Sequence, residues 1–163
     1  MNLKTVLEEQ VAIAKRGTPE QCLERYRGTT RQVEGLRSEA KFGKFTFTID
    51  EPTGFGGTDT AANPAEVLLG ALGASIEVTT RVYAEYLGIP LRSVAVELSG
   101  NLDIRGFFDT DPAVRSGFDR IEAKIRIDSP ASDAEIAKLL AKVERCCPVL
   151  ETIRNGTTVK LAR

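Results

Sequence analysis

Histidine and tryptophan are both missing from this 163-residue sequence, and methionine occurs once. Without histidine there is no Ser-His-Asp or Cys-His catalysis, no His-ligated zinc and no imidazole proton shuttle. Cysteine is scarce: Cys22, Cys146 and Cys147 are too few and too irregularly spaced for a secreted disulfide framework. Neither sign of charge dominates, since 22 Lys and Arg face 23 Asp and Glu for a net charge of −1. The net basic footprint of a nucleic-acid binder is therefore lacking. No stretch reads as the roughly 18 apolar residues of a membrane span. The N-terminus, polar and acidic after Lys4, has no signal-peptide core. These absences predict a cytoplasmic protein with no nucleic-acid or membrane partner. No metal or cofactor set is legible either. Any chemistry must run on cysteine, carboxylates, arginine, lysine, hydroxyls or backbone.

What is present fits one domain with a sizeable core, 42% of the residues being hydrophobic. Leu3, Val6, Leu7, Val11 and Ala14 make an amphipathic stripe that predicts a helix over 3–15, stopped by Gly17. Thr18-Pro19-Glu20-Gln21 has the form of a capping box with proline at the first helical position. It predicts a second helix ending at Gly28, so residues 1–28 read as a helical hairpin extending from a main domain of residues 29–163. Two strands are expected over 29–50, the clearer one alternating Phe45, Phe47 and Ile49 with Thr46 and Thr48. The Gly-rich loop 51–62 has neither the lysine of a phosphate loop nor a G-x-G-x-x-G pattern, so no phosphate is assigned to it.

Asn63-Pro64 opens the most informative segment, a helix through Leu87 that ends at Gly88. Its first half is apolar almost all round, which predicts burial. Gly70 and Gly73 in its interior predict that another backbone packs closely there, because each costs about 1 kcal/mol against alanine. At 1.5 Å per residue the helix is roughly 36 Å long, too long and too apolar for a monomer of this size. Alternating apolar residues then predict two half-exposed antiparallel strands, one carrying Val94, Val96, Leu98, Leu102 and Ile104 and the other Ile121, Ala123, Ile125 and Ile127. Ser132-Asp133-Ala134-Glu135 is a capping box that opens a helix broken by Pro148, and a last strand is expected around Val159 and Leu161. The order of elements predicts an α+β domain.

Cys146-Cys147 is the one sulfur cluster. It reads either as a small apolar end to a core stripe or as a redox thiol, which would need cations nearby to hold a thiolate. Glu144 and Arg145 beside it give mixed help.

Two blocks resemble the OsmC/Ohr family of hydroperoxide-reducing proteins. The first is Asp50-x-Pro52-x-x-x-Gly56-Gly57 followed by Asn63-Pro64-Ala65-Glu66-Val67-Leu68-Leu69-Gly70-Ala71-Leu72-Gly73-Ala74-Ser75. The second is Arg145-Cys146-Cys147-Pro148-Val149-Leu150-Glu151-Thr152-Ile153-Arg154-Asn155. The resemblance covers about residues 29–163. It implies an intertwined homodimer, with antiparallel sheets around long central helices and an active site at each subunit interface. It also implies a reaction in which a cysteine on the central helix attacks the peroxide and a second cysteine, before proline, resolves the sulfenic acid as a disulfide.

Carried over residue by residue, the resolving position is Cys147 and the attacking position is Ser75. A hydroxyl cannot form a sulfenic acid. The position of the family's glutamate is Ala65; Glu66 is adjacent but projects about 100° away on a helix. Arg31 and Arg37 lie on the stretch that carries the family's arginine, and neither aligns with it clearly. Cys146, Glu66, Arg31 and Arg37 are thus the further candidate pocket residues. Two readings follow. One is an oxidative-stress protein of the hydroperoxide-reducing family that lacks the standard peroxidatic cysteine. The other is a non-catalytic dimer that uses the family pocket for an apolar small molecule or a partner protein. Ser75 itself is either a small helix residue bonded back to a carbonyl or a remaining part of the site.

Overall fold

A computed structural model describes residues 2–162. Its elements are helix α1 (Leu3–Arg16), strands β1 (Thr29–Glu34), β2 (Arg37–Phe42) and β3 (Phe45–Ile49), helix α2 (Pro64–Leu87), strand β4 (Ser93–Asn101), helix α3 (Ile104–Phe107), strand β5 (Arg120–Asp128), and helices α4 (Asp133–Cys146) and α5 (Pro148–Asn155). The chain folds as two compact units. One holds Glu8–Leu68, and the other holds the chain from Leu69 onward with the first residues up to Leu7.

The unit from Glu8 to Leu68 is built on an antiparallel sheet in the order β1-β2-β3. The first of the two strands expected over 29–50 is itself two, because Gly35, at φ 53°, supplies the turn between β1 and β2. Ala40 is buried, while Phe42, Phe45 and Phe47 keep 47%, 67% and 42% of their surface exposed. The loop after β3 is organised by a buried carboxylate. Asp50 accepts hydrogen bonds from the Glu51 N–H (2.9 Å), the Thr58 N–H and hydroxyl (3.1 and 2.5 Å) and the Thr60 N–H and hydroxyl (3.1 and 2.9 Å). These donors, led by the Thr58 hydroxyl, hold its carboxyl well below the usual range against the opposing effect of burial. A side chain at Gly57 would run into the Glu51 backbone, so this glycine serves close packing.

The expected N-terminal hairpin is only half formed. The Thr18–Gln21 box is made, with the Thr18 N–H on Gln21 Oε1 at 2.8 Å and the Gln21 N–H on Thr18 Oγ1 at 3.4 Å. One turn follows and no helix. Helix nucleation is costly, and this stretch buries nothing that could offset it: Leu23 and Tyr26 are 57% and 88% exposed.

In the other unit, β4 and β5 pair antiparallel from Ser93↔Asp128 to Asn101↔Arg120. Val94, Val96, Leu98 and Gly100 face inward, as their even-numbered phase predicts. Ile104 leaves the strand and starts α3, where the Asp103 carboxylate accepts from the Arg105 N–H at 2.9 Å. Leu72 and Ile76 of α2 pack with Val143 and Cys147, with Val96, Leu98, Ile121 and Ile125 of the sheet against them. Further along α2, Ala84 packs with Ile89 and Leu139. Gly73 is needed where Leu98 lies across the helix, since a Cβ there would sit 2.7 Å from Leu98 Cδ1; it meets a side chain, not the expected backbone. Nothing approaches Gly70. Against the expectation of no such stretch, helix α2 is long and apolar enough to cross a membrane by length and composition. A soluble core helix passes the same test, and Leu72, Ile76, Thr80 and Ala84 are buried here against protein. The last expected strand does not form: residues 156–162 have no regular structure, and Val159 and Leu161 are 77% and 96% exposed.

Candidate functional site

Local sequence brings Ser75 and Cys147 together. Asn63 and Glu66 cap α2 reciprocally, the Glu66 N–H bonding Asn63 Oδ1 and the Asn63 N–H bonding Glu66 Oε2, both at 2.9 Å. That fixes where the helix begins and hence which way Ser75 points, three turns on. At the other end of the site, Ser132 and Glu135 form the expected capping box of α4. Pro148 then dictates the break: it biases Cys147 to extended backbone, observed at φ −72° and ψ 114°. Cys147 therefore stands at a helix junction. Its N–H closes α4 on the Val143 carbonyl, and its carbonyl accepts from the Glu151 N–H at the start of α5, both at 2.9 Å. The residue that ends α4 is also the N-cap of α5.

Cys147 is completely buried. Its Sγ lies 3.2 Å from Ser75 Oγ, a hydrogen bond between two groups that can each donate or accept. The Ser75 hydroxyl is thus turned to sulfur. The back-bonds expected as one option for it are made instead by its neighbours, Thr79 to the Ser75 carbonyl and Thr80 to the Ile76 carbonyl, both at 2.7 Å.

Beside this pair runs a groove of about 410 Å³, lined by Ala74, Ser75, Val78, Thr79, Val82, Tyr83, Cys146 and Pro148. The α2 contributors follow a helical spacing of three and four, so one face of the helix forms one wall. Cys146, one residue before the buried thiol, is only partly buried and opens on the groove. Tyr83 is its neighbour. Hydrogen bonding with Cys146 and then burial hold the Tyr83 phenol above its usual range. Tyr83 was not singled out in the sequence, although its place eight residues after Ser75 puts it on the same face.

The remaining candidates are engaged elsewhere. Glu66 is exposed and occupied as the cap of α2. Arg31 pairs with Glu39 across β1 and β2 at 3.1 Å, and Arg37 pairs with Glu34 at 3.0 Å. No group of metal-ligating side chains occurs among the described residues.

The chain thus combines an α+β fold and a long glycine-containing helix with a buried cysteine before proline and an adjacent apolar groove. The sequence pattern of the OsmC-like protein family matches residues 57–162, and this chain belongs to that family. None of the curated proteins matches it. Among solved structures, an OsmC-like protein from Mycoplasma pneumoniae is 24% identical, with a TM-score of 0.71 over 82% of this chain and 89% of that one. An organic hydroperoxide resistance protein OsmC from Legionella pneumophila is 22% identical, with a TM-score of 0.63 over 85% and 95%. A Vibrio cholerae protein described as an organic hydroperoxide resistance protein, with captopril bound in one of its active sites, is 15% identical, with a TM-score of 0.58 over 82% and 88%. At these identities the likeness is one of fold. It agrees with the sequence in giving an α+β protein with antiparallel sheets.

Proposed function

We propose that this chain is a dimeric, cytoplasmic OsmC-family protein in which the two-cysteine route of hydroperoxide reduction is closed, while the groove still accepts a small apolar molecule. The observation that carries this is the contact of Ser75 Oγ with Cys147 Sγ. A hydroxyl stands where that route needs an attacking sulfur, and it already touches the sulfur that would resolve it. Ala65, in place of the family's glutamate, removes a second part of the same machinery. Arg31 and Arg37, the candidates for the family's arginine, are held in ion pairs of their own.

Two observations support the binding half. The groove's volume and its valine, alanine and proline walls suit a small apolar ligand, with a few hydroxyls and a thiol to orient it. A related fold from Vibrio cholerae holds captopril in an active site. The dimer is supported by apolar residues without cover in the single chain: Leu68 and Val78 of α2 are 42% and 63% exposed, and the β2–β3 phenylalanines are similarly open. Residues 1–28 are an extension to the family domain in this reading, and a second copy would also offer strand edges to residues 156–162.

Stopped-flow reduction of cumene hydroperoxide, with thiols titrated before and after, tests the closed route. The expected result is no catalytic turnover by a Cys147-linked disulfide. Fast turnover that disappears in Cys147→Ser would overturn the proposal.

A further inference from the structure

We propose that Asn155-Gly156 is a self-modifying site: Asn155 loses its side-chain amide to attack by the adjoining backbone, and the carboxylate it becomes loosens α5 where that helix meets Cys147. The site lies outside the groove and acts whatever the groove binds. The chain has four asparagines, Asn2, Asn63, Asn101 and Asn155. Leucine follows Asn2 and Asn101, and its side chain crowds the backbone nitrogen. Proline follows Asn63 and offers no N–H. Glycine follows Asn155 alone, leaving the nitrogen unhindered and the backbone free to turn.

The fold sets this pair at a loose helix end. Asn155 is exposed and is the last residue of α5. Gly156 leaves the helix at φ 70° and ψ 171°, with nothing within 4 Å of where a Cβ would sit. Residues 156–162 have no regular structure, so no strand ladder holds Gly156 in place. A terminal helical residue frays, and fraying lets the Gly156 nitrogen swing onto Asn155 Cγ. That nitrogen gives its proton to water as it attacks. A bond forms between it and Cγ, the bond from Cγ to Nδ2 breaks, and Nδ2 leaves as ammonia with a proton from water. The product is a cyclic imide. Water opens it at one carbonyl to give aspartate, or at the other to give isoaspartate. The sum is an amide and water giving an acid and ammonia, with nothing oxidised or reduced.

The lost amide has a partner. Asn155 Nδ2 donates to Glu151 Oε1 at 3.1 Å. Its replacement by a carboxylate puts two like charges four residues apart, at the helix end where the dipole disfavours negative charge. Helix α5 packs Val149, Leu150 and Ile153 on the cluster that contains Cys147, and the Glu151 N–H bonds the Cys147 carbonyl at 2.9 Å. A change at the exposed end of α5 is thus felt at the buried thiol.

The full-length protein is incubated for days at neutral pH and physiological temperature. Peptide mass spectrometry then maps amide loss at each asparagine, with fragmentation that separates aspartate from isoaspartate. The expected result is progressive conversion at Asn155, with Asn2, Asn63 and Asn101 intact. Gly156→Ala should slow the conversion by crowding the attacking nitrogen, even though it strains the same helix end. Hydrogen exchange of the amides of residues 151–154 reads the coupling. Asn155→Asp should speed it roughly two- to fivefold, and adding Glu151→Gln should restore most of the wild-type rate. An Asn155 that stays intact, amide loss as fast at Asn101, or undiminished loss in Gly156→Ala overturns the site. Exchange in Asn155→Asp equal to that of the wild type overturns the coupling to Cys147.

Discussion

The two compact units are held together by different things. From Leu69 onward the chain buries Leu72, Ile76, Ala84, Ile89, Leu139, Val143 and Cys147, a helix-on-sheet core that carries the site. Between Glu8 and Leu68 the buried residues are Ala40 and Asp50, so an acid with five donors around it stands where an apolar core would be. The first unit is stabilised by removing apolar surface from water. The second has fixed its loop by hydrogen bonds but left its aromatic face open. That open face is the one the dimer proposed above would cover.

That contrast can be broken most forcefully at the phenylalanines. Phe45→Ala with Phe47→Ala should remove on the order of 3–5 kcal/mol per covered ring if a second copy packs on them, and almost nothing if the face is solvated. Sedimentation at micromolar concentration should show the dimer dissociating in the double variant and intact in the wild type. In the self-sufficient unit, Leu139→Ala should cost about 2–5 kcal/mol by urea unfolding, because Leu139 is fully buried. At the start of α2, Asn63→Ala should cost about 1 kcal/mol by urea unfolding, through the loss of the helix cap.

A further effect lies at Asp50 and shows itself in acid. Its folded-state pKa is depressed, so its contribution is present above the ordinary aspartate range, about 4, and is lost as pH falls through the lower folded value. Asp50→Asn should flatten the fall of Tm with pH in that window. A variant with the same acid limb as the wild type would remove Asp50 from the account of loop stability.

Most of the fold was written where the sequence is locally consistent. The Asn63 and Ser132 caps, the even phase of β4 and the Pro148 break each name their own structure, and the family blocks lie on them. The Ser75–Cys147 contact was also within reach, because both motifs are specific and a sulfur pair must meet in the family's chemistry. What escaped depended on burial partners. Thr18-Pro19 has the caps of a helix but no apolar face to dock, so only a turn formed. Val159 and Leu161 alternate like a strand but have no edge to pair with in the single chain. Tyr83 escaped for a different reason: an aromatic residue on an apolar helix reads as core until a groove is seen beside it.

The account's central claim is that geometry for the two-cysteine route survives while its attacking atom is gone. Ser75→Cys tests it most directly. After one equivalent of cumene hydroperoxide, non-reducing peptide mapping should find a disulfide between position 75 and Cys147 in the variant, with Cys147 still a free thiol in the wild type. A wild-type protein that forms a Cys147 disulfide under the same treatment, or a variant that forms none between these positions, would contradict it.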